Sequence, residues 1–185
     1  DESQVEQGRN FCNKIWNAYR LIRGWEVSAD IQQSEHSKLA AEWFDNKLSQ
    51  TIETIDEHFS KFRLSDALMT LYKFFWDDFC AWYLEVIKPE YGKPIDKVTY
   101  DTTIVFFEKL LRLLHPIMPF ITEELWQNIE ERKDGETIML QPQPKAAPYS
   151  VETIHAFEQG VGAIASVRNI RQSKGLSPKE ALTLQ

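Results

Sequence analysis

The residues best equipped for chemistry lie close to the start of the sequence. Arg9, Asn13, Asn17 and Arg20 recur at helical spacing, with Asn10 and Lys14 beside them. At ~100° per residue they form one stripe of a helix, opposite Phe11, Ile15, Ala18, Tyr19 and Ile22. Guanidinium and ammonium groups hold phosphates, and asparagine amides both donate to and accept from base edges. Trp16 borders the stripe. Trp43 opens a second helix in which Phe44 serves the apolar set better, so Trp43 tilts away from that set. Trp43 there either stacks on an unpaired base or sits half-buried in the core.

Other chemistries find little to work with. The phosphate-loop pattern Gly-x-x-x-x-Gly-Lys-Ser/Thr is absent. Gly160-Val161-Gly162-Ala163-Ile164-Ala165 imitates a dinucleotide fingerprint, but no strand precedes it. It falls inside a predicted helix, where small residues serve close packing. His36, His58, His115 and His155 show no ligand spacing with each other or with Cys12 and Cys80, which predicts no metal site. The pairs Asp77-Asp78 and Glu123-Glu124 read as wetted helix faces or salt-bridge partners. No catalytic residue is assigned. The two thiols, far apart among apolar neighbours, are expected to be reduced and the protein cytoplasmic. No uncharged apolar run approaches membrane-spanning length, and the first residues do not resemble a signal peptide.

Charge sharpens the picture. The net charge is −7, which on its face argues against a polyanionic partner. Yet residues 8–23 hold Arg9, Lys14, Arg20 and Arg23 without one acid. Residues 167–179 hold Arg168, Arg171, Lys174 and Lys179, again without an acid. An acidic body with two acid-free basic stretches discourages adhesion of RNA everywhere else.

Periodicity supplies the elements that must position these groups. Helices are predicted over 4–23, from Ser34 or Ser37 to about Lys61, from Leu64 to Pro89, over Lys97–His115, Phe120–Arg132 and Ser150–Ser173. The third carries Leu64, Leu68, Leu71, Phe75, Phe79, Trp82 and Val86 and is apolar nearly all round, which places it mid-bundle. Thr137-Ile138-Met139-Leu140 is read as a short strand, residues 141–148 as an extended linker, and 181–184 as a strand cut short. The expected architecture is all-α, a bundle of five to six helices with a short β appendage near 137–140. Residues 1–148 form the bundle, and 149–185 the final helix and the start of a truncated C-terminal segment.

Three phrases in order carry a resemblance: Gly8-Arg9-Asn10-Phe11-Cys12-Asn13-Lys14-Ile15-Trp16-Asn17-Ala18, then Trp76-Asp77-Asp78-Phe79-Cys80-x-Trp82-Tyr83-Leu84-Glu85, then Leu114-His115-Pro116-Ile117-Met118-Pro119-Phe120-Ile121-Thr122-Glu123-Glu124-Leu125-Trp126. They resemble the helical anticodon-binding domain of class I aminoacyl-tRNA synthetases for branched aliphatic amino acids. The first two phrases favour the bacterial-type valyl branch. Arg168-Asn169-Ile170-Arg171 with Gly175-Leu176-Ser177-Pro178 resembles that branch's later segment. The resemblance implies a Trp and a base at positions matched by Trp43 and Lys47, although Glu42 and Asp45 make this stretch more acidic than the family pattern. Both catalytic signatures of the family, His-x-Gly-His and Lys-Met-Ser-Lys-Ser, are missing.

What the resemblance implies is a domain that binds the anticodon stem-loop of valine tRNA. ATP and Mg would be used by a catalytic domain of the same polypeptide, alongside an editing domain, with no cofactor in this chain and no membrane. The implied RNA face is Arg9, Asn10, Asn13, Lys14, Asn17, Arg20, Trp43 and Lys47, with additional contacts from Arg168, Arg171 and Lys174. Two rivals stand beside it: the equivalent domain of an isoleucyl- or leucyl-tRNA synthetase, and a helical protein-interaction module without RNA.

Overall fold

Phe11, Ile15, Ala18 and Ile22 need cover along one side of the first helix, and the rest of the chain supplies it. In the computed structural model, which describes residues 2–177, helix α1 spans Glu2–Arg23 and buries those four side chains. It stops at Gly24, whose N–H closes on the carbonyls of Arg20 and Leu21. Helix α2 (Glu35–Ser60) starts at Ser34, whose hydroxyl accepts from the Ser37 N–H.

The next rod is not a uniform α-helix. It runs as α3 (Leu64–Lys73), a π-helical stretch (Phe74–Tyr83) and α4 (Leu84–Ile87). In the π stretch each N–H reaches back five residues, as from Leu84 to the Phe79 carbonyl. The wider turn shifts the buried face. Periodic spacing predicts Trp82 and Val86 inside, whereas Tyr83 and Ile87, one residue later, are buried and Trp82 and Val86 only half so. The Tyr83 phenol is satisfied by Thr103 at 2.9 Å, and burial pushes its pKa up.

Helix α5 (Lys97–Leu114) is capped by Asp96, whose carboxylate accepts from the Thr99 N–H at 2.8 Å. Helix α6 (Pro119–Ile129) places Pro119 in its first turn, where the missing N–H costs nothing. Helix α7 (Val151–Ser173), capped by Ser150, lies along α2. Phe44, ringed by Phe74, Phe79, Tyr83 and Phe106 at centroid distances of 4.8–5.4 Å, marks the centre of the core. The described residues are an all-α bundle of six rods.

The β appendage lies elsewhere than expected. Val27–Ser28 (β1) pairs in parallel with Ile95–Asp96 (β2), in the register Val27 to Ile95 and Ser28 to Asp96. Residues 137–140 form no strand: Ile138–Leu140 is one 3₁₀ turn. Glu123 explains why, since its carboxylate accepts from the Thr137 hydroxyl and the Ile138 N–H, consuming a donor that a strand would need. Burial alone would raise the Glu123 carboxyl, but hydrogen bonds from Thr137, Gln127 and Ile138 outweigh it and hold it below the usual range. The strand expected at 181–184 lies outside the described residues.

Candidate nucleic-acid interface

With its apolar side turned to α5 and α6, α1 presents its other side to solvent. Arg9, Asn10, Asn13, Asn17 and Arg20 are all exposed there. Arg9 pairs with Glu6 at 3.2 Å, a surface pair of little strength that a phosphate can replace. Lys14 is half-buried, with its ammonium 5.0 Å from the centre of the Trp76 ring. Trp16 stands in the same face and is 39% exposed. Its position at the border of the stripe leaves core and rim equally open, and the structure places it outward. Tyr19 beside it is fixed by donating its hydroxyl to the Asn128 carbonyl at 2.9 Å.

Trp43 does not join this face. Its ring is 1% exposed and lies 4.3 Å from that of Phe157, tilted by only 13°. Helix α7 crosses the side of α2 that a single-faced reading leaves to solvent, so both Trp43 and Phe44 are core and the expected open stacking face is overturned. Lys47 is occupied as well, its ammonium 2.5 Å from the Glu158 carboxylate on α7. That leaves its charge paired rather than open to a phosphate.

The second basic stretch sits on the far half of α7. The Arg168 guanidinium lies 5.5 Å from the centre of the Trp82 ring, Arg171 donates to the Ser177 carbonyl at 2.7 Å, and Lys174 is exposed. Both basic stretches thus border the central rod, Lys14 at Trp76 and Arg168 at Trp82. The groove between α2, α4 and α7, about 580 Å³, is lined mainly by Leu39, Trp43, Trp82, Val86, Phe157 and Ile164, with Glu42 among its few polar groups. Its chemistry suits an apolar occupant and repels a phosphate. Among the described residues no group of three or more His, Cys, Asp or Glu is arranged to hold a metal ion, and no helix is long and apolar enough to cross a membrane.

Asp78 feels the charges of the Lys47–Glu158 pair and carries a pH signature. Burial pushes its carboxyl up to about 6, against the pull of Lys47 and with added repulsion from Glu158 and Asp77. A carboxyl raised above its unfolded value stabilises the fold fully below the ordinary carboxylate pKa, and that contribution is lost as pH rises through about 6. Asp78→Asn should therefore melt higher than the wild type at pH 8 and lose the downward slope between about pH 4 and 6, as thermal melts across that range would show. An unchanged slope would assign the effect to other groups.

Comparison with known proteins fits this arrangement. A family model described as the anticodon-binding domain of tRNA ligase matches residues 41–185. Over the full 185 residues the chain is 54% identical to the valine–tRNA ligase of Porphyromonas gingivalis. It is 52% identical to that of Parabacteroides distasonis and 53% to that of Phocaeicola vulgatus. All of the chain is covered in each case, and it spans 21% of each relative's length. Helix α1 lies before the family match but inside all three alignments.

Proposed function

Since the chain belongs to the family of anticodon-binding domains of tRNA ligases, we propose that it holds the anticodon stem-loop of valine tRNA against the exposed face of α1. One observation carries this reading: Arg9, Asn10, Asn13, Asn17 and Arg20 stand together in solvent on an acid-free stretch of an otherwise acidic protein. Anticodon bases are unpaired, so their edges are open to the asparagine amides, while Arg9, Arg20 and Lys14 take the phosphates on either side. Arg168 and Lys174 extend the contact along α7. In the longer polypeptide, separate catalytic and editing domains attach valine with ATP and magnesium and check the product. This domain places the tRNA for them in the cytoplasm.

Binding of the chain to stem-loops carrying valine, isoleucine and leucine anticodons, followed by fluorescence anisotropy, tests the proposal. The valine loop should bind best, and log affinity should fall linearly with log salt from about 50 to 200 mM. Preference for another loop would move the amino-acid assignment, and absence of salt-dependent RNA binding would favour a protein-interaction module. Within that assay Arg20→Ala should weaken all three loops alike and reduce the salt slope by about one unit, as loss of one phosphate contact does. Its melting temperature should stay at the wild-type value, because Arg20 is exposed.

A further inference from the structure

We propose that Trp16 is the stacking platform of the α1 face and takes the flat side of an unpaired base in the RNA loop. This rests on α1 being the RNA-binding face and names the aromatic group that face uses. Stacking needs an indole in solvent, braced, with cations around it to bring the strand close. Trp16 meets all three requirements.

It is 39% exposed, while its neighbours Ile15 and Ala18 are buried. On the helical wheel it falls among Arg9, Asn13, Arg20 and Arg23, all within an arc of about 80° at ~100° per residue. Arg20 lies about one turn further along the axis and Arg9 about two turns back, so phosphates on either side of a stacked base have a guanidinium within reach. The indole has an aromatic neighbour to brace it. Its ring lies beside that of Tyr19, with centroids 6.1 Å apart and planes tilted by 50°. Tyr19 is in turn stacked on Phe107 at 6.3 Å and hydrogen-bonded to the Asn128 carbonyl. A ring braced in advance loses less conformational freedom on binding.

The other tryptophans are already engaged. Trp43 is covered by Phe157, and Trp126 lies under the Arg132 guanidinium at 3.7 Å. Trp76 and Trp82 carry Lys14 and Arg168, and Trp25 is packed against the core.

The test compares Trp16→Phe, Trp16→Leu and Trp16→Ala for binding to the valine anticodon stem-loop over a salt titration, with a thermal melt of each. Trp16→Leu and Trp16→Ala should bind about tenfold or more weaker with an unchanged salt slope, because stacking releases few counterions. Trp16→Phe, which keeps a π face, should retain most of the affinity. Leucine keeps an apolar contact with Tyr19 and guards against loss through misfolding. If the wild type binds with its salt dependence and all three variants match it, Trp16 is no platform and the α1 reading stands without it. Equal affinity of the leucine and phenylalanine variants would also remove the stacking role. Absence of salt-dependent binding by the wild type would remove the α1 reading itself, and Trp16 with it.

Discussion

Phe79→Ala should destabilise the domain by about 3–5 kcal/mol, enough to lower the melting temperature by roughly 10 °C. Phe79 is fully buried in the π-helical stretch and touches four rings: Phe44 at 5.4 Å, Phe75 at 5.5 Å, Tyr83 at 5.8 Å and Phe107 at 6.0 Å. These rings come from α2, the central rod and α5, so a cavity here is walled by three elements and cannot collapse by moving one. Trp82→Ala removes a larger side chain from the same rod yet should cost clearly less. Trp82 is half-buried at the rim of a groove, where water or a rearranged Arg168 fills the space. Urea unfolding of the two variants separates the cases. Equal losses would mean that Trp82 faces the core and that the rod keeps a regular α register through residues 74–83.

That difference between neighbours shows where sequence periodicity stops being informative. Helices α1, α5 and α6 were legible because each buries one arc, and one arc leaves a 3.6-residue rhythm in the sequence. The π stretch breaks the rhythm without any proline or glycine to mark it. In a segment apolar nearly all round, an extra residue per turn leaves the pattern looking unbroken. The β1–β2 pair hid for a different reason: two residues each, Val27–Ser28 and Ile95–Asp96, are too few to show alternation. Thr137-Ile138 looked like a strand on local preference, yet the Glu123 carboxylate, fourteen residues earlier, decides its donors. The outward stripe of α1 was legible because exposure of polar residues follows from the same arc. The occupant of the space beside Trp43 was not, because a helix held between two partners buries two arcs, and the second depends on where α7 returns.

Trp43 is the residue on which those two arcs meet, and Trp43→Ala should be as damaging as Phe79→Ala, again about 3–5 kcal/mol. Truncation deletes a ring that is 1% exposed and removes the stack with Phe157, the contact that best fixes α7 to α2. The polar ties to α2 from α7 and the residues just before it are Lys47 to Glu158, the Tyr149 hydroxyl to Glu53, and the Ser150 N–H to Asn46. None of them excludes water from the gap. Limited proteolysis within α7 should therefore accelerate in the variant before the whole domain unfolds. Trp43→Phe should be far milder, because the indole N–H has no hydrogen-bond partner where it is buried. Phenylalanine keeps a ring for Phe157 and discards a donor whose burial unpaired costs about 1–3 kcal/mol, which offsets the lost area. At a temperature where the alanine variant is still folded, its stem-loop affinity and salt slope should match the wild type, since the ring faces α7 and not solvent. A Trp43→Ala protein that melts like the wild type but loses stem-loop affinity would return this ring to the RNA face and place the α2–α7 contact elsewhere.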